Sequence, residues 1–281
     1  MLSPAVIFGA LELGCIYALA ALALLVSFRV LNIADMTTDG SFTLGCAVSA
    51  VLAAAGHPFL AIPAAMAAGA GAGWVTAFLQ TRLRIPPVLA GILTGTGLYT
   101  VNLAVMGFSA NVNLMKARTI FTILGSRLAP AAFTAVLAAG GLVLFFRTRL
   151  GLSIRATGDN PHMVRASSIN TAFTITLGLC LSNSLTALSG AMLAQYQKSA
   201  DINLGTGMVV TGLASLIIGE ALMPKGRLWA KAAGAVAGSM VYRLIIALAL
   251  RLDLPSECLK LASAVIVALA IGLKGGRHAE A

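Results

Sequence analysis

The chain has 281 residues, of which 59% are hydrophobic and 10% charged, with a formal net charge of +10. A soluble domain carries about 25% charged residues and about 20 apolar residues cross a bilayer, so these long apolar runs require a polytopic membrane protein. The basic residues cluster at the ends of apolar segments rather than on one face, which excludes a nucleic-acid-binding surface and follows the positive-inside rule.

The first span is expected over residues 4–28. It has no basic n-region before it, and Glu12 interrupts its apolar run, so a retained span is expected rather than a cleaved leader. Residues 30–45 then carry Asn32, Asp35, Thr37, Thr38, Asp39, Ser41 and Thr43 without a clear boundary into the next apolar run. This reads as a broken second span. Non-helical backbone at membrane depth survives only inside protein or beside a watery cavity. Asp39 falls near a helix N-terminus, where its charge is favoured. Two roles are open to Asp35 and Asp39: pathway or gate residues, or interfacial caps.

Span three covers residues 59–79, with Gly69, Gly71 and Gly73 giving the small-residue texture of close helix packing. Pro86 and Pro87 open span four, which ends near residue 107. Its Thr94, Thr96, Tyr99, Thr100 and Asn102 are expected to face other helices. Residues 108–130 form a connection, and span five follows over residues 131–146.

The central polar segment, residues 151–171, holds Arg155, Asp159, His162 and Arg165. Asn160 before Pro161 reads as an N-cap and first helical position, so a short helix is expected from Pro161 to about Ser167. A segment of this kind in so apolar a chain points to a contact made in water; a plain solvated loop is the alternative. Span six covers residues 172–196, with a polar strip of Ser182, Asn183, Ser184, Thr186 and Ser189. Residues 195–207 are again polar. Span seven ends at Glu220, a basic connection runs over residues 223–231, and span eight carries Arg243. Span nine is expected over residues 259–273. The fold class is therefore all-α, one transmembrane unit over residues 1–281 with about nine spans.

With the central segment in the cytoplasm, most of the 19 Lys and Arg residues lie on that side, placing the N-terminus outside and the C-terminus inside. The polar stretch at residues 30–45 and that at 200–207 echo each other after an apolar span. Two interrupted segments in corresponding halves mark a transport path.

No P-loop, HExxH or GxSxG motif occurs, and Asp35 and Asp39 make a poor aspartyl dyad because one segment supplies both. No catalytic residue is assigned. Cys15, Cys46, Cys180 and Cys258 lack ligand spacing and read as buried small hydrophobes; His57, His162 and His278 make no metal pattern. Glu12, Arg243 and Glu220 need partners within the bilayer. Lys225 or Arg227 is expected to serve Glu220.

Four stretches carry a family resemblance: residues 28–42 (FRVLNIADMTTDGSF), 87–94 (PVLAGILT), the segment from Gly151 to Pro161 with its RATGDNP, and residues 200–220 with ADINLGTGM and GLASLIIGE. The chain resembles permease subunits of ATP-binding-cassette importers for branched-chain amino acids and monosaccharides, and within them the tryptophan/tyrosine type. The resemblance implies a bacterial cytoplasmic-membrane protein acting as a homodimer or as a pseudo-dimer of two permeases. Its implied partners are two ATPase subunits, which hold the ATP and Mg that this chain does not, and an extracytoplasmic substrate-binding protein. It makes residues 155–168 the coupling helix, with Arg155, Gly158, Asp159, Asn160, Pro161 and Arg165 facing the ATPase. It lines the path with Asn32, Asp35, Thr38, Asp39, Asn183, Asp201 and Asn203. The implied cargo is an amino acid, aromatic by resemblance. A sugar or nucleoside cargo and an ion-coupled secondary transporter are the rival readings. One departure is visible: the family places Gly before the Ile that follows the coupling helix, whereas here Ser167 and Ser168 precede Ile169.

Overall fold

The structure is a computed structural model that describes residues 4–223 and 227–251. Helix α1, Pro4–Leu24, runs directly into a π-helical turn, Leu25–Val30. Then come α2 (Thr38–Ala54), α3 (Pro58–Thr81) and α4 (Pro87–Val105). After strand β1 (Asn111–Asn113) and the short α5 (Ile120–Ile123), α6 spans Leu128–Phe145. The central segment forms α7 (Arg149–Asp159) and α8 (Pro161–Ala166). Helix α9 (Thr171–Gln197), strand β2 (Ser199–Asp201), α10 (Met208–Leu222) and α11 (Leu228–Arg251) complete the order. Pro58, Pro87 and Pro161 each open a helix, where the missing N–H has no intrahelical use and φ is already helical.

Six of these helices, α1 with its π turn, α3, α4, α6, α9 and α11, are long and apolar enough to cross a membrane. Helices α2 and α10 are shorter apolar helices of 17 and 15 residues, each preceded by one of the polar interruptions. The ninth expected span lies outside the described residues. The chain is all-α apart from one short ribbon: β1 and β2 pair antiparallel, with Val112 opposite Ala200, and join the loops after α4 and α9.

Helix α9 is the axis of the bundle, with α1, α2 and α3 packed around it. Its polar strip is not a wet face. Ser182, Asn183, Thr186, Ser189 and Gln195 are all fully buried. Ser182 donates to the Ala23 carbonyl of α1 at 2.8 Å and Ser189 to Ile16 at 2.8 Å. Gln195 donates to Ser49 and to the Pro58 carbonyl, and accepts from the Ile120 N–H, so one side chain ties α2, α3 and α5 to α9. Such bonds hold membrane helices together where apolar burial gives no net drive, because lipid tails are as apolar as leucine.

Close approach does the rest. A Cβ on Gly45 would collide with the Ala187 backbone, and one on Gly73 with the backbone of Leu179 and Cys180. Gly69 and Gly73 sit against α9, whereas Gly71 faces outward with open space around it. Helix α4 divides in the same way. Thr94, Leu98 and Asn102, four apart, are buried, while Thr96, Tyr99 and Thr100 are exposed, against the expectation that all of them face other helices. Exposed Trp74, Phe78, Ile92, Phe133 and Val136 give α3, α4 and α6 an apolar outer surface suited to lipid.

Candidate functional site: two joined interruptions and a polar helix pair

The first interruption enters from the end of α1. Asn32 takes the left-handed conformation (φ 53°) that asparagine tolerates, and its amide donates to the Gly158 carbonyl of α7 at 3.0 Å. The chain then climbs beside α9 to Asp35, which is fully buried. One carboxylate oxygen of Asp35 accepts the Thr37 N–H at 2.9 Å, and the other accepts the Asn183 amide at 2.7 Å. Asn183 in turn accepts the Ser41 hydroxyl at 2.6 Å, and Thr38 donates to the Asp35 carbonyl. Thr37 reaches Thr76 of α3 at 2.8 Å. Asn183 stands about midway along the 27-residue α9, so this knot lies deep in the bundle. A buried carboxylate is tolerable only when its lone pairs are taken in this way.

Asp39 makes a different junction. It sits in the first turn of α2, but its carboxylate serves α10: Gly207 donates to it at 2.9 Å and Val209 at 3.0 Å. Gly207, the N-cap of α10, is glycine at φ 85° and supplies no side-chain cap of its own. Asp39 satisfies two of the helix's orphan donors and places its charge at the positive end of the helix dipole. Nearby, Gly205 donates to Thr43 at 3.1 Å, and a Cβ on Gly205 would strike the Asp39 carbonyl. The two polar interruptions that echo each other in the sequence therefore touch. Asp201 closes a local turn by accepting the Asn203 N–H at 2.8 Å, and Asn203 is exposed at its edge.

The central segment is two helices, not one over 155–168. They meet at Asn160, whose extended backbone (φ −154°, ψ 96°) follows from the proline after it. Asn160 accepts the N–H groups of His162 and Met163 at 3.0 and 3.1 Å, the cap expected from the sequence, and α8 stops one residue short of Ser167. Helix α7 buries Gly151, Ile154 and Thr157, and Thr157 bonds Thr174 of α9 at 2.8 Å. A Cβ on Gly158 would run into the Val30 carbonyl, so α7 lies hard against the π turn of α1. Outward it presents Arg155 and Asp159 with Leu150 and Leu152; α8 adds Pro161, Met163 and Arg165. Arg165 also donates to Thr171 at 2.9 Å. Helix α8 ends in a Schellman turn: Ser168 stands at φ 61°, its N–H meets the Arg165 carbonyl, and the Ile169 N–H meets Val164. The turn expected to differ from the family keeps a glycine-type geometry with serine in it.

Three ionisable groups within the bundle acquire partners that the sequence did not disclose. Glu220 pairs with Arg29 at the end of α1. Of the partners expected for it, Lys225 lies outside the described residues. Glu12 accepts the Tyr196 hydroxyl at 2.7 Å. The Arg243 guanidinium stacks 3.4 Å over the Tyr17 ring, which itself stacks on Phe42. These links bind residues far apart in the chain, for which local spacing carries no signal.

A bundle of apolar helices, broken twice at depth and carrying a charged helix pair at one end, is a multi-pass membrane permease. The chain belongs to the family described as the permease component of branched-chain amino acid transport systems, which matches over residues 6–273. It is 34% identical over 253 residues to a tyrosine transport system permease protein of Clostridioides difficile, covering 90% of this chain and 85% of that one. It is 26% identical over 220 residues to the ribose import permease of Escherichia coli K12, covering 75% of this chain and 66% of that one. A galactose/methyl galactoside import permease of Salmonella typhimurium matches 54% of this chain at 27% identity. No solved structure matches. The protein is thus the permease of an ATP-binding-cassette importer, a multi-pass protein of the inner membrane.

Proposed function

We propose that the chain pairs with a second copy and passes an amino acid, of the tyrosine type, across the membrane by ATP-driven alternating access. The observation that carries this is the joining of the two interruptions through Asp39 and the N-terminus of α10. The cargo reading rests on the tyrosine-permease relative, which covers most of both chains. The path runs beside this junction. Asn32, Asp39, Asp201 and Asn203 lie at its margins, and Asp35, Thr38 and Asn183 brace it from within.

ATPase subunits engage α7 and α8 through Arg155, Gly158, Asp159, Asn160, Pro161 and Arg165, with the exposed Leu152 and Met163 filling the contact. ATP and Mg reside on those subunits. The contact passes to the transmembrane helices by the shortest route, because Gly158 touches both the π turn of α1 and Asn32. A binding protein outside the membrane selects the cargo. A sugar cargo is the second reading, favoured by the ribose and galactose relatives.

Co-purification tests the coupling site. The ATPase encoded beside this chain is expected to remain with the wild type and to be lost from the Arg155→Glu, Arg165→Glu double variant. Uptake assayed with tyrosine and with ribose decides the cargo. Uptake that persists without any ATPase and follows a proton or sodium gradient would refute the ATP-driven reading.

A further inference from the structure

Where α1 leaves its π turn and α11 begins, a cavity of about 140 Å³ opens beneath α7. Arg155 reaches it from α7, and Arg227 and Lys231 from the start of α11; Arg29 stands at its edge. Asp159 is the one carboxylate on its wall. The charge of Arg29 is met by Glu220, but Arg155, Arg227 and Lys231 form no ion pair among the described residues. Three cations therefore face one carboxylate. Leu25, Val30 and Leu228 complete the lining, with Leu25 and Val30 buried behind the charged side chains. Trp229, 54% exposed, flanks it, and tryptophan favours the membrane–water boundary. The apolar run of α1 ends at Val30 and that of α11 begins at Leu228, so the cavity sits at the level where the spans end on the cytoplasmic side.

We infer that this cavity binds the phosphate of an anionic phospholipid. A phosphate offers several acceptor oxygens to converging Lys and Arg donors. Basic pockets between membrane helices at the cytoplasmic side suit anionic lipid headgroups. A basic site at the level where the spans end, beside an exposed tryptophan, suits a phosphate that carries acyl chains. The bound phosphate would bridge α7 to α1 and α11, which makes the stiffness of the coupling region depend on the anionic lipid around it. The inference does not depend on the ATPase contact, since binding is read on the permease alone.

The test uses the purified full-length permease and follows its thermal midpoint during titration with phosphatidylglycerol, phosphatidylcholine or inorganic phosphate. Phosphatidylglycerol is expected to raise the midpoint and phosphatidylcholine to leave it. Arg227→Gln with Lys231→Gln should weaken phosphatidylglycerol binding on the order of thirtyfold, at about a factor of five per lost cation. The charge-keeping pair Arg227→Lys with Lys231→Arg should bind within about threefold of wild type, which separates lost charge from misfolding. Equal responses to the two lipids, or an unweakened Gln pair, would overturn the site. A midpoint that rises with inorganic phosphate as it does with phosphatidylglycerol would overturn the lipid as its occupant.

Discussion

The junction inside the bundle and the polar helix pair α7 and α8 use the same residue types to opposite ends. Within the bundle, Asp35, Asn183, Ser41 and Asp39 spend their hydrogen-bonding capacity on one another and on backbone N–H groups. On α7 and α8, Arg155, Asp159 and His162 are exposed. An asparagine sits at the centre of each region. Asn183 joins α2 to α9 through side chains; Asn160 caps the helix that begins beside it. A polar group without water must be satisfied by the fold, so it fixes geometry. One that keeps its water can exchange it for a partner. The inner region should therefore respond to substitution in stability, and the outer one in association.

The largest effect is expected at Asn183. Asn183→Leu strands a buried Asp35 carboxylate oxygen and the Ser41 hydroxyl, and should cost about 1.5–3 kcal/mol, the range for a hydrogen bond to a charged group. Thermal unfolding in detergent would show it, together with a fall in yield. Exchanging the two residues, Asp35→Asn with Asn183→Asp, keeps the donors from Thr37 and Ser41 and the bond between the pair but gives up the bond to the Leu179 carbonyl, so it should restore part of the loss. An Asn183→Leu protein with the wild-type midpoint would remove the claim that this knot fixes the interior.

Asp39 comes next. Asp39→Ala leaves the Gly207 and Val209 N–H groups without acceptors and should cost about 1–2 kcal/mol, the range for a lost N-cap with its dipole interaction. The effect should be local. Hydrogen exchange is expected to quicken at the first turn of α10 while α9 keeps its protection, and uptake should fall with it. Uniform exchange across both helices would show that the two interruptions are not held by this cap.

Asn160→Ala sharpens the contrast. The lost cap should cost α8 about 1 kcal/mol, with little movement of the global midpoint, because α8 is short and exposed. Retention of the ATPase is the quantity that should fall. An unaltered ATPase complex would detach α8 from the coupling site.

How far the sequence discloses each region follows from the range of its interactions. The Asn160 cap and the helix starts at Pro87 and Pro161 are local, and they stand where sequence patterns place them; the described residues hold six helices long enough to cross and two shorter ones. The joint at Asp39 is half legible. Its nearness to a helix N-terminus can be read from the sequence, but the helix that it caps lies 168 residues away. The pairs Arg29–Glu220 and Tyr196–Glu12, 191 and 184 residues apart, leave no local mark. The β1–β2 ribbon joins Asn-Val-Asn to Ser-Ala-Asp, segments with almost no strand propensity that pair because the loops bring them together. The single coupling helix expected over 155–168 overlooked the effect of Pro161 on the residue before it.

Ser168 offers the smallest effect. Its φ of 61° falls in the region where a Cβ meets the following carbonyl, at a cost of roughly 1–2 kcal/mol for an ordinary L residue. The Schellman bonds from Ser168 and Ile169 hold it there, with Val164 buried beneath the turn. Ser168→Gly removes the Cβ while leaving both bonds, but gives back some backbone entropy in the unfolded chain. The balance should favour the variant by about 0.5–1 kcal/mol, seen as slower proteolysis between α8 and α9. Ser168→Val, which adds a branch at the same φ, should speed it. If glycine quickened cleavage instead, the serine would be supplying an interaction that outweighs its strain, and the end of α8 would be held by that contact rather than by the turn.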